Sequence, residues 1–212
     1  MPERKGLVIF VEGETEVEFY EAMLQHLKMR CSDKKYPFDN VLPPKNMKGI
    51  GSFKDRVVRK FEKQVLRTYP DTKFTVVLAY DTDVFEFADK PHVDWKEVDK
   101  ALTKAGATQV IHLPAKRSIE DWFLLDEDGV KKYLHLPNST PLKGSTGLKK
   151  LEAAFMKANR VYVKGTKVKG FVDALNIGLI ASNLCKNLQP LCGVLLIDCQ
   201  KVGCCTNNYV NK

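Results

Sequence analysis

GLVIFVEGETEVEFYEAML, residues 6–24, holds the change of period that decides the fold. Gly6 to Val11 is an unbroken apolar run that stops at Glu12-Gly13. A run this short, without polar alternation, reads as a strand buried on both faces and followed by a turn. From Thr15 the spacing becomes helical: Val17, Tyr20, Leu24 and Leu27 share one face, with Phe19 and Met23 beside them. Thr15 with Glu18 three residues later matches the capping box that opens a helix.

The same grammar repeats downstream. Phe38 to Leu42 reads as a weaker strand closed by Pro43-Pro44, and residues 52–68 as a helix with Val57, Phe61, Val65 and Leu66 inward. Lys73 to Tyr80 is the clearest strand and ends on Asp81-Thr82-Asp83. A helix from about Asp94 to Lys104 stops at Gly106, Val110 to Leu113 is a fourth strand, and Ser118 opens a helix through Ile119, Trp122, Phe123 and Leu124. Strands separated by helical crossovers imply an α/β fold, here a mostly parallel four-stranded sheet with helices on both faces. In such folds the ligand crevice lies outside the carboxyl ends of the strands.

After Gly129 the pattern changes. Pro137, Pro141, Gly144 and Gly147 mark a loop, and helical segments follow at roughly 148–158 and 171–188. The expected organisation is a sheet domain over residues 1–130 and a basic helical lobe with its tail over 140–212, the tail from Val202 frayed.

Charge sharpens that division. The net charge is +8, yet residues 1–140 carry 23 basic and 23 acidic side chains, whereas residues 141–212 carry 11 basic against three acidic. Lys143, Lys149, Lys150, Lys157, Arg160, Lys164, Lys167 and Lys169 make the densest part. Such an excess points to a polyanion partner, because phosphate neutralisation by Lys and Arg drives sequence-independent nucleic-acid binding. The helix at 52–68 adds Lys54, Arg59, Lys60 and Lys63 to the residues expected to grip a backbone, with Lys149, Lys150, Lys157 and Arg160 of the later stretch.

With 44% apolar and 28% charged residues, the chain has an ordinary globular balance. No apolar run approaches the ~18 residues of a membrane span. The N-terminus passes straight into a strand, so the expectation is a cytoplasmic protein without membrane attachment. Of six cysteines, Cys185, Cys192, Cys199, Cys204 and Cys205 crowd the last 28 residues and Cys31 stands apart. Their spacing matches no standard zinc or disulfide framework, so reduced thiols are expected.

The acids fall where the crevice should be. Glu12 follows the first strand and Glu16 lies in the next helical turn; Asp81 and Asp83 end the third strand; Glu120 follows the fourth. Taken singly, each has a structural explanation, as a helix-dipole partner, a first-turn acid or a turn residue. Together they place carboxylates of separate segments at one sheet edge. Gathered carboxylates repel, and burying them unpaired costs several kcal/mol each. A hard divalent cation removes that penalty, and an all-oxygen donor set suits Mg²⁺, Mn²⁺ or Ca²⁺.

These motifs resemble the Toprim signature. Glu12 with Glu16 is similar to its E-x-x-x-E motif, Asp81 with Asp83 to its D-x-D motif, and Ser118-Ile119-Glu120 to its S-x-E motif, in the family's order and over roughly residues 5–130. The closest likeness is to OLD (overcoming lysogenization defect) type nucleases and small phage-defence Toprim proteins. Those carry a later lysine, for which Lys164 and Lys169 both stand as candidates.

The resemblance implies a metal-dependent nuclease hydrolysing DNA or RNA phosphodiesters with two Mg²⁺ or Mn²⁺ ions, in phage defence or mobile-element biology. It implies Glu12, Asp81 and Asp83 as metal ligands, and Glu16 and Glu120 holding the second ion or activating water. Ser118 would orient a phosphate or ligand, and Lys164 or Lys169 would stabilise developing charge. The G-x-x-x-x-G-K-[ST] motif is lacking, so no nucleotide cofactor is expected and any ATPase would be a separate partner; a homodimer is left open.

Three rivals compete with that reading. A topoisomerase or primase also uses Toprim but needs further domains. A non-catalytic Toprim module would bind nucleic acid or a partner protein without cutting. Reading Asp81-x-Asp83 as a phosphatase nucleophile pair puts Phe85 where that family has Thr and leaves Glu12 without a role.

Overall fold

The computed structural model describes residues 3–30, 36–83 and 93–197. Five parallel strands form one sheet: β1 (Arg4–Val11), β2 (Asn40–Val41), β3 (Lys45–Asn46), β4 (Thr72–Asp81) and β5 (Gln109–Ala115). The order is β2-β1-β4-β5, with β3 also pairing with β1. β2 and β3 lie in succession along one edge of β1, at Gly6–Leu7 and at Phe10–Val11. The strand expected at 38–42 is shortened to β2, and β3 is a fifth strand beyond the four expected. Pro43 and Pro44 lie between β2 and β3, and neither has an N–H to donate to a ladder.

Both sheet faces are covered, as unbroken apolar strands require. Leu7, Ile9 and Val11 of β1, Val77 and Ala79 of β4, and Ile111 and Leu113 of β5 point into one core. α1 (Glu14–Arg30) packs there through Phe19, Tyr20 and Met23. Val8 and Phe10 of β1 and Phe74, Val76 and Leu78 of β4 point into the other core. α2 (Gly51–Lys60) and α3 (Trp95–Lys104) cover that side with Phe53, Val57, Val98 and Leu102. Past Lys60 the helix widens into a π-helical segment, Phe61–Leu66, with Phe61 and Val65 buried.

The C-terminal helices join the first core. α4 (Ile119–Phe123) leads through a short 3₁₀ turn into α5 (Glu127–Tyr133), and α6 (Gly147–Lys157) follows. α7 (Ile177–Asn183) packs on α1, and α8 (Cys185–Val194) on β5. Phe155, Phe171, Ile180 and Leu191 are continuous with Leu7 and Phe19, so the segment after residue 140 shares the sheet's core.

The single helix expected at 171–188 is a 3₁₀ turn at Val172–Ala174 followed by α7 and α8. Buried Asp126 explains the break before α7. Its carboxylate accepts from Asn176 N–H at 2.6 Å and from Gly129 N–H at 3.1 Å, and Asn176 then caps α7 through Leu179 N–H.

Among the described residues no helix is long and apolar enough to cross a membrane. Cys185 is disulfide-bonded, which departs from the expected reduced thiol, and Cys192 is buried. Cys31, Phe85, Cys199, Cys204, Cys205 and the tail from Val202 lie outside the described residues.

Candidate metal centre

Glu12 leaves β1 at its carboxyl end, and α1 starts two residues later with Glu14 and Glu16 in its first turn. β4, the neighbour of β1, ends on Asp81. The turn beyond it is pinned to the β5–α4 connection: Thr82 N–H and Asp83 N–H each donate to Arg117 O at 2.9 Å, and Arg117 N–H donates to Thr82 Oγ1 at 2.8 Å. Arg117 adopts φ +65°, a left-handed conformation that bends the chain into α4.

Backbone donors then fix individual carboxylates. Glu12 Oε1 accepts from Asp81 N–H at 2.7 Å, and Asp81 Oδ1 accepts from Ile119 N–H at 2.8 Å. Asp81 therefore caps the first turn of α4, a task expected of Ser118, whose own hydroxyl turns to Asp121 Oδ2 at 3.2 Å. Glu120 is fully buried, and its Oε1 accepts from Tyr162 Oη at 3.0 Å.

Lys164 reaches into this group. Its Nζ lies 2.7 Å from Asp81 Oδ2 and 2.9 Å from Asp83 Oδ2. The loop carrying it docks on the β1–α1 turn: Glu14 N–H donates to Gly165 O at 2.9 Å, and Thr15 Oγ1 donates to Thr166 O at 2.6 Å. Two glycines make that approach feasible. A Cβ on Gly13 would stand 2.5 Å from Gly165 Cα, and Gly165 itself has φ +76°. Lys167 adds a clamp, 2.6 Å from Glu18 Oε1.

The structure thus brings together Glu12, Glu16, Asp81, Asp83, Glu120 and Lys164, with Ser118 buried at the edge of the group. Glu12, Glu16, Lys48 and Lys164 line a cavity of about 510 Å³. Lys169 is exposed and elsewhere; its carbonyl accepts from Tyr133 Oη. Tyr162 and Lys48 belong to the site without having been singled out from sequence. Tyr162 sits between two exposed valines in a run whose alternation was the available signal.

The electrostatics are those of a crowded acid site. Burial raises the pKa of Glu12, and burial with the charges of Glu120 and Glu12 pushes Glu16 up to about 7. Asp81 is held well above the carboxylate range, by burial first, against the lowering influence of Lys164. Burial would lower the Lys164 ammonium, but Asp81 and Asp83 outweigh it and hold the proton on.

Glu16 sets a pH dependence. Its neutral form is favoured in the folded chain, so ionisation costs stability as pH rises from the ordinary 4.5 to about 7. In EDTA, Glu16→Gln is expected to match the parent near pH 4.5 and to exceed it by about 2–3 kcal/mol at pH 8. Urea melts at the two pH values measure this; parallel stability curves would remove Glu16 from the titrating group.

The donors suit a hard cation in type. All are carboxylate oxygens, and Glu16 Oε2, Asp83 Oδ1 and Glu120 Oε2 are buried and accept no hydrogen bond. Asp81 Oδ2 has only its ion pair with Lys164. Among the described residues no three acids stand in ready-made metal geometry. The Lys164 ammonium, set between Asp81 and Asp83, supplies the positive charge that a metal would bring.

No protein-family model matches the chain, and neither does any curated protein or solved structure.

Proposed function

We propose that the chain is a metal-dependent phosphodiesterase of Toprim type that cuts nucleic acid. One observation carries this reading: five carboxylates from three chain segments gather at the carboxyl edge of a parallel sheet, around one ammonium that pairs with two of them, with buried oxygens left over. A purely structural cluster would be expected to satisfy those oxygens.

Glu12, Asp81 and Asp83 would hold one Mg²⁺ or Mn²⁺, and Glu16 with Glu120 a second. Bound there, divalent ions supply positive charge to activate a water and to stabilise the leaving oxygen of an in-line displacement. The chain's own residues do the rest. Asp81 N–H and Ile119 N–H orient Glu12 and Asp81, and Tyr162 orients Glu120. Where Glu120 alone holds the second ion, Glu16 instead activates the water by taking its proton. Lys164 carries three donors on a loop anchored at Gly13 and can turn from the aspartates to a phosphate oxygen.

The Lys164 ion pairs also favour a second reading, a self-neutralised site that binds nucleic acid without cutting it. Incubating the protein with supercoiled plasmid, linear DNA and RNA in Mg²⁺, Mn²⁺ or EDTA separates the two. Cleavage in either metal and none in EDTA is the expected result. Intact substrates in every lane would leave the binding module.

A further inference from the structure

The turn after β3 carries Lys48 at the end of the acid cavity. Met47 N–H donates to Val11 O at 2.7 Å, and Gly49 N–H donates to Glu12 O at 2.9 Å, so the turn is tied to the strand end that presents Glu12. Lys48 holds φ +62°, steadied by its N–H donating to Asn46 Oδ1 at 2.6 Å. A second cleft, of about 490 Å³, opens on its other side toward α2 and the π-helical segment. Lys48, Arg56, Arg59, Lys60 and Lys63 line it, and no acid does. Lys48 borders both cavities, so cleft and acid site adjoin at this residue.

Among the described residues none of these five cations forms an ion pair. Lys60 is half-buried and donates only to Asn46 O. Burial and then the charges of Lys48, Lys45 and Arg56 lower its pKa and outweigh the opposing charge of Glu14, the mark of a net positive potential. The C-terminal basic stretch differs. Lys149 pairs with Glu152 at 2.7 Å, Lys157 donates to Pro141 O at 2.9 Å, and Arg160 lies over the Tyr133 ring.

We propose that the cleft lined by Lys48, Arg56, Arg59, Lys60 and Lys63 is the phosphate track of the site. It holds the sugar-phosphate backbone of a nucleic acid and feeds it past Lys48 to the carboxylates. The inference rests on the phosphodiesterase reading for what happens at the acids, and on charge and geometry alone for the binding. Several cations at one concave surface suit a chain of singly charged phosphates, and two arginines can each grip a phosphate with two parallel hydrogen bonds. The backbone then runs over the α2 side of the molecule, and the C-terminal stretch contributes less despite carrying the chain's net charge.

The test is binding in EDTA, where cutting plays no part. Fluorescence anisotropy with labelled duplex DNA, single-stranded DNA and single-stranded RNA gives affinity across a salt series, read on whichever binds most tightly. In one variant Arg56, Arg59 and Lys63 become Gln; all three are exposed, and its melting curve should match the parent's. In the other, Lys149, Lys150 and Lys157 become Gln. The first is expected to bind at least tenfold more weakly and to lose about 2–3 units of the log–log salt slope, close to one per phosphate contact. The second should lose less than about one unit. An unchanged slope in the first variant, a larger loss in the second, or no binding by the parent overturns the proposal. A parent that binds through this cleft yet cuts nothing in Mg²⁺ or Mn²⁺ sinks only the nuclease reading.

Discussion

Asp81→Asn is expected to lower Mg²⁺- or Mn²⁺-dependent cleavage by about 10³-fold or more, some 4 kcal/mol of transition-state stabilisation, with the fold intact. The substitution keeps an oxygen where Asp81 Oδ1 accepts from Ile119 N–H at 2.8 Å, so the first turn of α4 stays capped. What it removes is the charge at Oδ2, the atom paired with Lys164 at 2.7 Å. Lys164 retains Asp83 at 2.9 Å, so the ammonium is not stranded. Loss of one buried charge from a group that repels itself further limits any cost to metal-free stability.

Asp81→Ala makes the informative comparison. It removes the cap as well as the charge and should cost about 1 kcal/mol more stability at equal loss of activity. Cleavage by Asp81→Asn within tenfold of the parent would show that this carboxylate holds no ion the reaction needs.

Lys164→Met separates a positive charge that works from one that only fills space. Among the described residues its neighbours lose the one ammonium that contacts Asp81 and Asp83. Stripping one partner from a fully buried ion pair costs about 3–5 kcal/mol. The Lys164 side chain is 30% exposed, so about 2–3 kcal/mol is expected in EDTA. Added Mn²⁺ should restore more stability to the variant than to the parent, because the ion no longer competes with the ammonium. The single-turnover rate at saturating substrate should fall tenfold or more, about 1.4 kcal/mol or greater. Lys169→Ala should leave both quantities near the parent's, since it is the Lys169 carbonyl that Tyr133 engages. Exchange of the two phenotypes would make Lys169 the working lysine, against the contacts described above.

The order of strands and helices in the sheet half could be read from local pattern. Residues 6–11 and 73–80 are apolar on both faces because helices cover both sides of the sheet, and that demand is written in consecutive residues. The start of α3 was legible at Asp94, which caps it, whereas Thr15 and Glu18 lie inside α1 and turn to Thr166 O and Lys167 instead of forming the expected capping box. The five acids were legible too, since a residue just past a parallel strand must emerge at the carboxyl edge.

What failed locally failed for long-range reasons. The break between the 3₁₀ turn and α7 depends on Asp126, 50 residues away in the chain, which no window around 171–188 contains. Ser118 looked like the cap of α4, but Asp81, 38 residues before Ile119, fills that role.

The sequence by itself therefore determined a parallel α/β sheet with carboxylates at its strand ends, because burial pattern and strand direction are properties of neighbouring residues. Only the tertiary structure brought Lys164, and not Lys169, to the acids and put Tyr162 on Glu120. That placement turns on Gly13 and Gly165, residues 152 apart in number, lacking the side chains that would hold their backbones apart.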